Sequence, residues 1–102
     1  IRTPKGLVVV TGCAHPGIVE IVERVAQLND APIHLALGGF HLAGESPQAH
    51  REILSKLDGL GVETLAPCHC TGDGFRDLAR ETLGDRFVSN GVGRVLKFDG
   101  AR

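Results

Sequence analysis

Between Gly6 and Gly12 the sequence runs Leu7-Val8-Val9-Val10-Thr11, apolar and β-branched without alternation. A strand with one face in water alternates polar with apolar residues. An unbroken run is expected where both faces are covered, as in a parallel sheet built with crossover helices. The period then changes. Ile18, Ile21, Val22, Val25 and Leu28 recur at helical spacing opposite Glu20, Glu23, Arg24 and Gln27, with Pro16 suited to a first helical position. Asn29-Asp30-Ala31-Pro32 stops this helix. Residues 33–37 supply a second strand, ended by Gly38 and Gly39, where the backbone can pass close to a ligand and let a substrate approach. Ser46 followed by Pro47 reads as an N-cap and a first-turn proline, and Ile53, Leu54, Leu57 and Leu60 form the stripe of a second helix closed by Gly61. Residues 62–66 make a third strand, and 67–72 a loop. Thr71 or Asp73 is expected to cap a third helix carrying Phe75, Leu78, Ala79 and Leu83 as far as Gly84. Two short strands at 86–89 and 94–98 are expected around the Asn90-Gly91 turn signal. The order β-α-β-α-β-α-β-β describes an α/β layered domain, and the 102 residues leave room for one domain, 1–102.

Leu, Ile, Val and Phe together exceed the roughly 20% below which chains stay disordered. The core is expected to be aliphatic, with four Phe and no Trp or Tyr. That scarcity of aromatics, and a net charge of -1, leave neither stacking platforms nor a basic stripe for phosphates, so nucleic acid is not expected as a partner. No apolar run approaches the about 20 residues of a membrane span. Arg2 and Lys5 precede an apolar run as in a signal peptide, but Gly12, His15 and Pro16 interrupt it too early. The chain contains no Met, and Ile1 is too bulky to follow a removed initiator, so a piece of a longer protein is expected. Three cysteines cannot all pair within one chain, and Cys68 and Cys70 flank a histidine, which reads as thiol or metal chemistry in a reducing, cytoplasmic setting.

Three strands end in loops that each hold a histidine: Thr11-Gly12-Cys13-Ala14-His15-Pro16-Gly17, Gly38-Gly39-Phe40-His41-Leu42 and Pro67-Cys68-His69-Cys70-Thr71-Gly72. Loops at the carboxyl ends of neighbouring parallel strands converge. A single histidine at a loop start is most often a satisfied polar residue. Three in one context, with thiols beside them, form a donor set suited to zinc or iron. His34, within a strand, and His50, within a helix, lack that context and read as surface or packing residues. A redox reading of Cys68 and Cys70 is weaker, because dithiol motifs place two residues between the cysteines. Gly59-x-Gly61 and Gly91-x-Gly93 do not lie between a strand and a helix as a dinucleotide loop requires.

The strings TGCAHPGI, GGFHL and PCHCTG, with Gly84-Asp85-Arg86-Phe87 and Gly91-Val92-Gly93 behind them, resemble the C-terminal half of the metallo-β-lactamase superfamily. The branch they resemble is that of metal-dependent hydrolases similar to dihydropterin-ribofuranosylaminobenzene-phosphate synthase. The resemblance implies half of an αβ/βα sandwich with one or two metals at the strand ends and a metal-bound hydroxide that attacks an ester, amide or phosphodiester of a small-molecule substrate. It makes His69 the terminal ligand and His15 a second. Cys13 falls near the place of a bridging Asp in many relatives, and His41 shares the pocket as ligand or substrate contact. Zinc is the expected divalent metal, with iron or manganese acceptable to the same donors. Ala14 stands where this branch often has Ser. The N-terminal His-x-His-x-Asp-His motif is absent, since no two histidines here are separated by one residue.

Two functions follow. In one the chain is a fragment of a metal-dependent hydrolase, with Cys13 and His41 catalytic and His15, His41 and His69 holding the metal. In the other it is a non-catalytic assembly or metal-binding module, inactive alone for want of the missing motif. Either way a half-sandwich leaves a sheet face uncovered, so a homodimer or pairing with an N-terminal half is expected.

Overall fold

The computed structural model describes residues 1–14, 17–68, 71–90 and 93–97. The elements run β1 (Arg2–Thr3), β2 (Gly6–Thr11), α1 (Ile18–Leu28), β3 (Ile33–Gly39), α2 (Pro47–Gly59), β4 (Thr64–Cys68) and α3 (Asp73–Leu83), followed by a 3-10 turn at Gly84–Arg86. The four strands form one sheet in the order β1-β2-β3-β4. β1 is antiparallel to β2, whereas β2, β3 and β4 are parallel. Right-handed crossovers between strands laid down in sequence put their helices on the same side. The core agrees: Ile18 and Val22 of α1, Leu54 and Leu57 of α2, and Phe75 and Ala79 of α3 join Leu7, Val9, Ile33, Ala36 and Leu65 in one buried cluster. Among the described residues no helix is long and apolar enough to cross a membrane.

This is the expected α/β half-sandwich, one sheet under one layer of helices. The expectation that the 7–11 run is buried on both faces holds only in part. Leu7, Val8 and Val9 are buried, but Val10 is 57% exposed, because no helix layer lies on its side. That second face carries a small cluster of Val8, Leu35 and Ala66, against which Leu37, Val88 and Leu96 pack.

The chain's last third departs from the expected order. Residues 94–97 form no strand, Phe98 and Gly91 lie outside the described residues, and Phe87 makes only an isolated parallel bridge to Leu65. Side chains, with one backbone bond, do the tethering that a strand was expected to do. Arg86 donates to the carbonyls of Glu63 (2.7 Å) and Val62 (3.0 Å) and to Asp58 (2.7 Å). Val88 N–H bonds the Leu65 carbonyl at 2.8 Å, and Asn90 Nδ2 bonds that of Ala66 at 3.1 Å. Because the Arg86 guanidinium is partly exposed, each of its bonds sits at the low end of its class. Arg86→Ala is expected to cost about 1 kcal/mol, read as a lower urea midpoint at unchanged slope; an unchanged midpoint would show that the tail is held elsewhere.

Candidate metal centre

The parallel strands end at a common edge: Thr11 is in register with Gly38, Gly38 with Pro67, and Gly39 with Cys68. Their outgoing loops are bonded to one another. Gly39 N–H donates to the Gly12 carbonyl at 2.8 Å, joining the first loop to the second. Phe40 N–H donates to Thr71 Oγ1 at 2.9 Å, joining the second to the third, and the same hydroxyl donates to the Cys68 carbonyl at 2.7 Å.

Two glycines make this convergence possible. A Cβ on Gly38 would stand 2.0 Å from the Thr11 carbonyl oxygen, and one on Gly72 would stand 2.9 Å from Ala43 Cα, both at positive φ. The requirement for glycine at position 38 is thus set by the approach of the neighbouring strand. The space beside it is filled by the neighbouring strand.

The first loop holds Cys13, half-buried, and Ala14, buried. The second holds His41, exposed between buried Phe40 and Leu42. Ala14 and His41 are the non-glycine residues with positive φ among those described, both at 55°. Such backbone costs about 1–3 kcal/mol per residue and collects where a site over-determines it. The third loop begins at Cys68, a half-buried free thiol. Cys13 and His41 thus stand on two of these mutually bonded loops, and Cys68 at the end of β4 where the third begins. His15 and His69, the other expected ligands, and Cys70 lie outside the described residues, as does Pro16. Among the described residues no group of three His, Cys, Asp or Glu side chains could hold a metal ion.

The remaining histidines are placed by their neighbours. On β3, His34 Nδ1 pairs with Glu63 Oε1, remote in register from the strand ends. On α2, His50 is only 7% exposed, and its Nε2 bonds the Leu42 carbonyl at 2.9 Å. Packing was the correct half of the expectation for His50, but its partner is the His41 loop, which helical periodicity does not signal. Thr71 was expected as a cap for α3. Gly72 occupies the N-cap instead, with no side-chain cap bond, and Thr71 is fully buried between two loops. In α1 likewise, Gly17 occupies the N-cap and the helix starts at Ile18. Among the described residues, a cleft of about 610 Å³ between α1 and α2 touches these loops at Gly17 and Leu42, and Cys13, His41 and Cys68 do not line it.

No family model matches the chain. It is 32% identical over 99 residues to 7,8-dihydropterin-6-methyl-4-(beta-D-ribofuranosyl)-aminobenzene-5'-phosphate synthase of Methanocaldococcus jannaschii, a match covering 96% of this chain and 34% of the relative. An uncharacterised protein of the same organism is 35% identical over 92 residues, covering 90% of this chain and 34% of its own length. Among solved structures, that of Tm1679, a metal-dependent hydrolase of the beta-lactamase superfamily, superposes with a TM-score of 0.91 at 36% identity, covering 97% of this chain and 39% of the other. The chain spans about a third of the length of the curated relatives it matches.

Proposed function

From the premise that this chain has the fold of part of a beta-lactamase-superfamily metal-dependent hydrolase, we propose that it supplies the later loops of a divalent-metal site for hydrolysis of a small-molecule ester, amide or phosphodiester. The observation that carries the reading is the bonded convergence of three strand-end loops, with Cys13 and His41 on two of them and Cys68 where the third begins. Thiol and imidazole are donors that suit zinc, with iron or manganese as alternatives. His15 and His69, with His41, are the residues proposed to hold the ion. The chemistry supplied by a bound divalent ion is Lewis acidity toward a carbonyl or phosphoryl oxygen. Cys13, half-buried beside Gly12, contributes a polarisable wall or a further donor, and the exposed His41 imidazole reaches the open side, where it contacts substrate or completes the ligand set.

A catalytic zinc site takes about three protein ligands and an open position, and the His-x-His-x-Asp-His segment is not in this sequence. The proposed partner is therefore a polypeptide carrying that segment, seated on the helix-free sheet face at exposed Val10, beside the patch that Val88 and Leu96 cover. Mixing or co-expressing the two is expected to give a complex that retains zinc through gel filtration and hydrolyses a generic chromogenic phosphodiester, with this chain alone inactive. A mixed pair that neither associates nor retains zinc would overturn the reading. A stable homodimer of this chain that refuses the second polypeptide would assign the face to a second copy and leave the non-catalytic module as the function.

A further inference from the structure

Among the described residues, the polar side chains that are buried are His50 and Thr71, and both end on backbone groups of the two residues that flank His41. Burying a polar side chain costs free energy unless its hydrogen bonds are made. Here the bonds are made to one short segment. Thr71 Oγ1 has a single proton, which goes to the Cys68 carbonyl, so it meets the Phe40 N–H as an acceptor. The His50 ring meets the Leu42 carbonyl through Nε2, which must therefore carry a proton. Its ring stands edge-on to Phe75, with centroids 5.7 Å apart, and Phe75 in turn stands edge-on to Phe40 at 6.0 Å. Gly74 leaves the ring its space, since a Cβ there would stand 3.2 Å from Cε1.

We infer that His50 and Thr71 are positioning residues that anchor the residues before and after His41 at their far peptide groups, hold His41 between them in the left-handed conformation, and so fix its imidazole relative to the strand end at Cys68. The clamp has two arms. Thr71 ties the residue before His41 to the residue before His69, setting the spacing of the two loops. His50 ties the residue after His41 to α2, fixing the direction in which the backbone leaves. Phe40 at 1% and Leu42 at 6% exposure seat the segment on either side, so the exposed His41 stands on a base with little freedom to turn. The part of this inference that concerns metal rests on the reading of His41 and His69 as ligands; the part that concerns His41's backbone does not.

The test uses the whole chain. Thr71→Val keeps the side chain's shape and removes both bonds, and Thr71→Ser keeps the hydroxyl. On the other arm, His50→Leu removes the donor and His50→Gln restores one at similar reach. In Thr71→Val, the amide exchange of Phe40 is expected to speed up by about 10-fold or more, the loss of roughly one hydrogen bond. The Cα and Cβ chemical shifts of His41 are expected to leave left-handed values, with Thr71→Ser close to the parent in both. His50→Leu is expected to move the same His41 shifts, and His50→Gln to restore them. Should Thr71→Val fail to fold, the His50 pair decides the matter. Zinc titrated against a chelator is expected to bind 10- to 100-fold more weakly in the deleting variants, the range for groups that orient a ligand. Unchanged His41 shifts in folded Thr71→Val or His50→Leu would overturn the clamp. If His41 moves while the unsubstituted chain binds no zinc, the clamp stands and the metal reading of this chain alone fails.

Discussion

Gly38→Ala is expected to remove a large share of the chain's stability. The new Cβ would lie 2.0 Å from the Thr11 carbonyl oxygen and 2.9 Å from its carbon, at a φ of 127° that L-residues avoid. Neither obstacle can swing aside, because the oxygen belongs to the backbone of the paired strand, in register with Gly38 itself. Relief requires separating β2 from β3 at the edge where Gly39 bonds Gly12. The cost belongs with the rare substitutions above about 4 kcal/mol, against a total stability of about 5–15 kcal/mol for an ordinary domain. Gly12→Ala is the matched control, since a Cβ there meets nothing within 4 Å. It is expected to cost less than about 1 kcal/mol, the ordinary effect of a surface change. Equal urea midpoints for the two variants would show that the strands do not approach as described.

In the complex with the polypeptide carrying the remaining ligands, His69→Ala is expected to reduce both zinc affinity and hydrolysis by more than about 100-fold, beyond the 10- to 100-fold typical of groups that merely orient a ligand. The reasoning is positional. His69 follows Cys68, whose carbonyl is held by Thr71 at the edge where the loops meet, and it is one of the residues proposed to hold the ion. His34→Ala removes the same chemistry from a place on β3 where the ring pairs with Glu63. An ion pair with a partner so exposed carries about 0–1 kcal/mol, so zinc content and activity are expected to stay near the parent's. Loss of activity with full zinc retention in His69→Ala would move His69 from ligand to substrate contact.

The elements that positioned this site were legible wherever one residue's chemistry settles a local question. Ser46 accepts a bond from Ala49 N–H at 3.1 Å and Pro47 opens α2, as the sequence says they should. The stripes through Val22, Leu57 and Phe75 found the core for the same reason: helical period reports which side faces a layer. What escaped was decided between segments. A threonine followed by glycine before a helix looks like a cap, yet Thr71 serves a carbonyl and an amide on either side of the site. His50 looks like any helix histidine until α2 is laid against the 40–44 loop. The turn signal at Asn90 was sound local grammar, but Asn90 spends its amide on the Ala66 carbonyl, and residues 94–97 form no strand. The positive φ of Ala14 left no trace in residue type, and that of His41 left a weak one, since histidine is enriched in this region but only a small share of histidines adopt it.

The order β1-β2-β3-β4 also bears on how the chain reaches its fold. Each parallel strand lies beside the one made just before it, and each pair is closed by a single helix and its loops. The search cost of joining strands grows with the length of chain between them, and folding slows as contacts become more distant in sequence. A sheet assembled from successive neighbours can therefore zip in the direction of synthesis, β3 onto β2 and then β4 onto β3, with only short loops to close at each step.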